Sequence, residues 1–262
     1  MAGRGAAGSG GSARASGGKS GPGYFESKKG EVNELRVLLR TVNTSRDSKK
    51  KRDVIKKVIA YMTLGIDVSR LFSDMILACN TKDLVIKKMV YMFLTTYARR
   101  NPDITLLAVN TLHKDCRDED PMVRGLALRS LCSLGLPSIL EHVVAPLKSA
   151  LEDHSSYVRR AGVIGMAKVF KLDAKTVRES DMIDRLYDML KDTDAQVMVD
   201  CVLALDEILA DEGGMAVNRA IAHHLLGRLK DVSEWGQCTL LSVVRRYTPE
   251  TEEETFAIMN HL

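Results

Sequence analysis

Asp118-Glu-Asp-Pro-Met-Val123-Arg124-Gly-Leu126-Ala127 decides the fold, because the same pattern returns as Asp153-His-Ser-Ser-Tyr-Val158-Arg159-Arg-Ala161-Gly162 and as Asp192-Thr-Asp-Ala-Gln-Val197-Met-Val-Asp200-Cys201. The three valines are 35 and then 39 residues apart. Upstream, Ile86-Lys87-Lys88-Met89-Val90 falls 37 residues before Val123, and Ile55-Lys56-Lys57-Val58-Ile59 falls 31 before that. A period of this length marks stacked structural repeats. Within each copy the apolar positions follow one helix face. Ile86, Met89, Val90, Phe93, Leu94 and Tyr97 are spaced like Val123, Leu126, Ala127, Ser130, Leu131 and Leu134, and like Val158, Ala161, Gly162, Gly165, Met166 and Val169. A second helix precedes each of these, over Val68–Ala78, Ile104–Leu112, Ile139–Leu151, Met182–Leu190 and Arg219–Leu229. Pro146 is expected to kink the third of them. One such pair leaves an apolar face in water, so the pairs must stack.

Local signals agree with helix pairs. Asp120 before Pro121, and Asn101 before Pro102, read as an N-cap followed by a first helical residue, where proline's missing N–H costs nothing. Asp118, Asp153 and Asp192 recur at the turn, and Arg124 and Arg159 follow the buried valine. These arginines are expected to pair with the turn acids Asp118 and Asp153 of neighbouring units. Asp118, Val123, Arg124, Asp153, Val158, Arg159, Asp192 and Val197 are therefore structural repeat positions. The Asp, Pro, Val-Arg, Ala succession resembles a HEAT repeat, and the tetratricopeptide and ankyrin signatures are absent. The expected architecture is all-α, a right-handed α-solenoid of HEAT/armadillo-like helix pairs.

Composition bounds the function. The chain has 262 residues, 45% of them apolar, 27% charged and 5% aromatic, with six prolines, which argues for helices over a sandwich or barrel. Its longest uncharged stretch, Ser130 to Leu140, is too short to cross a hydrocarbon core, so any membrane role is expected to be peripheral. The net charge is +4; without the three basic residues of positions 1–23, the remainder holds 35 basic and 34 acidic residues, or +1. A near-neutral body lacks the footprint of a nucleic-acid binder. Five cysteines, odd in number and set among apolar neighbours, read as reduced core thiols.

Residues 1–23 hold nine glycines and no acid, and are read as a flexible Gly/Ser-rich basic tail ahead of a helical body over 24–262. Two apparent phosphate-binding motifs in the tail follow no strand and carry no weight. The densest charge run places Arg46, Lys49, Lys50, Lys51, Arg52, Lys56 and Lys57 against Asp47 and Asp53. Lys49, Lys50, Lys51, Arg52, Lys56 and Lys57 form a candidate patch for anionic lipid headgroups, weighed evenly against a solvated helix start.

No catalytic group, metal site or cofactor site is expected. His113 and Cys116 sit three apart with no second pair at ligand spacing. His223 and His224 are adjacent and diverge on a helix. Glu252-Glu253-Glu254 reads as an acidic helix start that complements the dipole.

Several blocks resemble the N-terminal trunk of adaptor-complex beta subunits, the adaptin family. They are Tyr24-Phe25 with Lys28-Lys29-Gly30-Glu31; Lys56-Lys57-Val58-Ile59 with Met62-Thr63-Leu64-Gly65; Lys87-Lys88-Met89-Val90-Tyr91; Pro102-Asp103; Ala108-Val109-Asn110-Thr111; and Lys114-Asp115-Cys116. Pro121 to Leu134, Ser156 to Arg160, and Ile221 to Leu226 leading to Trp235-Gly236-Gln237 are most similar to the beta subunit of the fourth adaptor complex. The resemblance implies a non-enzymatic scaffold for cargo selection that is recruited peripherally to trans-Golgi and endosomal membranes. It further implies a heterotetramer with a second large, a medium and a small subunit, and a trunk that continues past residue 262. For some such complexes it implies docking of a GTP-loaded Arf-type GTPase on the helix Ile104–Leu112, with the contact positions falling on Leu106 and Val109. The alternative is a free-standing HEAT scaffold of the nuclear-transport or phosphatase type.

Overall fold

The computed structural model describes the backbone of residues 23–45 and 47–261, with side chains from residue 30 onward. Residues 1–22 of the Gly/Ser-rich tail reading and Arg46 fall outside the described residues, and Gly23, the last residue of that reading, opens the first helix. Every regular element within them is helical. The helices are α1 (Gly23–Thr44), α2 (Ser48–Thr63), α3 (Phe72–Ala78), α4 (Leu84–Tyr97), α5 (Pro102–Asp115), α6 (Pro121–Leu131) and α7 (Leu140–Leu151). They continue as α8 (Ser156–Leu172), α9 (Ala174–Arg178), α10 (Met182–Asp188), α11 (Ala195–Ile208), α12 (Arg219–Gly227), α13 (Glu234–Val244) and α14 (Glu252–Met259).

The pairs are α1–α2, α3–α4, α5–α6, α7–α8, α10–α11 and α12–α13, and the expected α-solenoid holds. Each second helix carries the periodic stripe. Ile86, Val123, Val158 and Val197 are all buried at matching places, and each contributes about 1.5–3 kcal/mol by leaving water. Second helices touch their successors at every step, α2 to α4, α6, α8, α11 and α13, whereas direct packing between first helices fades after α5. Because the second helices pack against one another more closely than the first helices do, the stack bends toward the second-helix row, which is the inner row, with the first helices as the outer row.

Turn chemistry sets where these helices start. Asp47, Asp83, Asp120 and Asp194 each accept a backbone N–H from the first turn of α2, α4, α6 and α11. Asn101 departs from expectation. Pro102 opens α5, but the Asn101 amide donates back to the Tyr97 carbonyl and does not cap the helix with its side chain. The short helix α9, held by Asp173, was too brief to show periodicity.

Two glycines are required by close approach. An added Cβ at Gly125 would lie 2.5 Å from the Tyr157 ring, and one at Gly165 would lie 2.9 Å from both Cys132 Sγ and Leu147 Cδ1. Both occupy the seams of α8 with its neighbours, where missing side chains let the inner helices come together.

Candidate functional site

The repeat positions build a one-directional ladder of charge. Arg124 forks onto the Asp153 carboxylate, Nε and Nη2 each 2.8 Å from an oxygen, and its Nη1 reaches the Asp118 and Glu119 carbonyls of its own turn. Arg159 repeats this on Asp192, at 2.7 and 2.8 Å, and on the Asp153 and His154 carbonyls. Each arginine therefore pairs with the acid one repeat further on. Asp118 is left out of the pairing, and its carboxylate accepts the Asp120 N–H instead. Burial pushes the Asp153 and Asp192 carboxyls up, but the arginine hydrogen bonds and the turn N–H groups hold both below the ordinary range.

In the third turn Val197 is followed by Met198, so no local arginine exists. Arg228, just past α12, fills the place by donating to the Asp192 and Thr193 carbonyls at 3.1 and 3.2 Å. At the other end Lys87 takes the arginine's position, and its ammonium lies 2.5 Å from buried Asp115, which also accepts the Tyr91 hydroxyl. A cleft of about 840 Å³ opens beside this pair, where Lys82, Lys114 and Arg117 face Asp118, Glu119 and Asp120.

The basic run on α2 divides. Lys49, Lys50, Lys56 and Lys57 are exposed. Lys51 is turned inward, 7% exposed, and burial lowers its pKa. Arg52 is held by Asp83, with Nη2 to Oδ2 at 2.5 Å. The lipid-facing candidates therefore reduce to four lysines, because the helix phase that buries Ile55 and Val58 also buries Lys51.

The proposed docking pair also divides. Leu106 is 44% exposed, as is its neighbour Leu107 at 59%, but Val109 is 3% exposed and belongs to the core. Three-residue spacing placed both on one helix face, but the structure separates them: Val109 is buried with Ala108 and Leu112, and of the pair Leu106 alone is exposed for an apolar contact.

The histidine and cysteine candidates resolve into structural roles. His113 Nε2 meets the His142 carbonyl, and burial pushes the Cys116 thiol up to about 12. His224 Nε2 lies 2.9 Å from the Leu190 carbonyl, whereas His223 points to Glu254 at 3.4 Å. Among the described residues no three His, Cys, Asp or Glu side chains are grouped to hold a metal ion. Sequence reasoning missed Glu254. It is buried, accepting the Tyr247 hydroxyl at 2.7 Å and the Glu250 N–H at 3.0 Å, with Arg219 3.2 Å away. Thr251 three residues ahead, whose hydroxyl receives the Glu254 N–H, was the capping-box signal that could have found it.

These features define an α-solenoid scaffold whose polar residues tie repeats together and leave long helix faces for contact. Residues 27–262 match the family model described as Adaptin N terminal region, and the chain belongs to that family. It is 46% identical over 231 residues to the AP-4 complex subunit beta-1 of Mus musculus, covering 88% of this chain and 31% of that protein. It is 36% identical over 239 residues to the AP-1 complex subunit beta-1 of Homo sapiens, covering 90% of this chain and 25% of that one. The chain thus spans between a quarter and a third of the length of these relatives. A homology model of the full-length AP-3 complex in an intermediate open conformation is similar in structure, with a TM-score of 0.59 and 26% identity over 84% of this chain and 35% of that one.

Proposed function

We propose that this chain is trunk sequence of the beta-type large subunit of a vesicle-coat adaptor complex, a non-enzymatic scaffold that helps select cargo for transport between the trans-Golgi network and endosomes. The observation that carries this reading is the 46% identity to an AP-4 beta subunit across nearly the whole helical body, against 36% to an AP-1 beta subunit over almost the same span. That difference favours the fourth complex. A scaffold of stacked pairs suits the role, since it offers long surfaces to several subunits at once.

Its partners are then a second large, a medium and a small subunit, and its membrane attachment is peripheral. No helix among the described residues is long and apolar enough to cross a membrane. Lys49, Lys50, Lys56 and Lys57 suit attraction to anionic headgroups, about 1 kcal/mol for each cation near the surface. An Arf-type GTPase in its GTP state is the proposed recruiter, with Leu106 on α5 as its apolar contact.

Tagging the protein in cells and purifying it under mild cross-linking tests the reading. Recovery of one further large, one medium and one small subunit in equal amounts is expected, together with a membrane pool near the trans-Golgi network. Recovery of nuclear-transport cargo or a phosphatase catalytic subunit in their place would transfer the protein to the free-standing scaffolds.

A further inference from the structure

The inner helices carry a charge polarity that the coat reading does not use. Helices α4, α6 and α8 contain eight basic residues and no Asp or Glu, whereas α11 contains three acids and no basic residue. Five of the eight are matched: Lys87 with Asp115, Arg124 with Asp153, Arg159 with Asp192, Arg160 with Asp200 and Lys171 with Glu207. Lys88, Arg129 and Lys168 have no acidic partner among the described residues. Lys168 reaches one repeat back to donate to the Ser133 hydroxyl at 2.6 Å. The Ser133 hydroxyl in turn donates to the Arg129 carbonyl at 2.6 Å, which brings Lys168 and the backbone of Arg129 to one place on this face, and partial burial followed by the Arg129 charge lowers the Lys168 pKa.

The repeat register places apolar side chains among these cations. The sixth residue after Ile86, Val123, Val158 and Val197 is Met92, Arg129, Ile164 and Leu203, and all four are exposed. Met92, Ile164 and Leu203 are 43%, 40% and 51% exposed. Successive inner helices thus present apolar, cationic, apolar and apolar groups in one row, with Lys88 and Lys168 beside it.

We propose that this row is a docking surface for an acidic polypeptide segment punctuated by apolar residues, lying across α4, α6 and α8. The proposal is independent of the coat reading and holds for any scaffold with this face. Charge complementarity specifies the acidic residues, and the exposed Met92 and Ile164 specify the apolar ones. A flat bilayer cannot follow the inside of a curve. The row itself has no aromatic ring on which nucleic-acid bases would stack. Neighbouring helices are about 8–10 Å apart and an extended chain advances about 3.3 Å per residue, so the ligand needs one matching side chain about every three residues.

The test is fluorescence anisotropy on the full chain with a labelled peptide of about twelve residues in which Leu and Glu alternate at every third position, with Ser between them. The same peptide with Lys for Glu serves as comparison. The Glu peptide is expected to bind, more weakly as salt rises, and the Lys peptide to bind at least about tenfold more weakly. Arg129→Glu with Lys168→Glu should reduce affinity about tenfold or more, and the milder Arg129→Gln with Lys168→Gln about threefold. Met92→Ser with Ile164→Ser should weaken binding while leaving the salt dependence intact. Lys114→Glu, on the outer helix α5, should change nothing. Circular dichroism establishes that each variant is helical. Equal binding of the two peptides, or unchanged affinity in the helical charge variants, overturns the proposal. So does finding that phosphatidylserine vesicles or a single-stranded oligonucleotide depend on Arg129 and Lys168 when the peptide does not.

Discussion

His113, near the end of α5, occupies the carbonyl that Pro146 leaves open in α7. Proline has no N–H to give the residue four positions back, and its ring crowds that carbonyl, which belongs to His142. The His113 ring nitrogen from the preceding repeat donates to it. Helix α7 runs unbroken from Leu140 to Leu151 with Pro146 inside it, so the defect in one helix serves as an attachment point for another. Denaturant unfolding of a double-mutant cycle measures the link. His113→Ala should cost about 1 kcal/mol in the native chain, and close to nothing when Pro146→Ala restores the internal bond. Equal cost in both backgrounds would show that His113 acts elsewhere.

Arg159 and Asp192 should give the solenoid an acid-sensitive seam. The folded Asp192 carboxyl lies below its unfolded value, as does Asp153. Their contribution is therefore present above the unfolded value of about 3.9 and is lost as pH falls through the folded value. Arg159→Met leaves a half-buried carboxylate without its fork and should cost about 2–3 kcal/mol at neutral pH. Thermal melts from pH 7 to pH 3 should show that deficit shrinking as Asp192 takes up a proton. A deficit constant across the range would assign the loss to packing.

Much of this arrangement is legible in the chain because it depends on neighbours in sequence. Val123, Val158 and Val197 announce the repeat, and Asp120 before Pro121 announces a helix start. What escapes is whatever depends on how one repeat is set against the next. Arg124 and Arg159 could be matched with turn acids, but that each reaches forward, leaving Asp118 unpaired, follows from the stacking direction. Lys51 reads as one more cation in a run, and its inward turn is decided by the phase of α2 against the following pair. His113 resembles half of a metal site until Pro146, 33 positions on, is brought beside it. Glu254 was hidden among three identical letters.

Val109 and Leu106 separate a folding test from a docking test. With 3% of Val109 exposed, Val109→Glu buries a charge with no partner and should destabilise the chain by about 3 kcal/mol or more. Leu106→Glu alters an exposed position and should shift the unfolding midpoint little, within about 0.5 kcal/mol. Leu106→Glu is therefore the informative variant for capture of a GTP-locked Arf-type GTPase. Loss of capture at unchanged stability is the expected result, and undiminished capture would remove Leu106 from the contact.

Gly165→Ala sets helix propensity against packing. In an exposed helix the change would favour folding by about 1 kcal/mol. Here the new methyl would meet Cys132 Sγ and Leu147 Cδ1 at 2.9 Å, one from the previous inner helix and one from the paired outer helix. Neither neighbour is a free chain end, since Cys132 is 3% exposed and Leu147 fully buried. Overpacking of this kind costs about 1–3 kcal/mol, so the net effect should be destabilising by about 1 kcal/mol. Adding Cys132→Ala removes one of the two clashing atoms and should recover part of the loss, which a urea series on the single and double variants would show. If Gly165→Ala instead stabilises the chain, the seam between α6, α7 and α8 has room that the close approach of these helices denies.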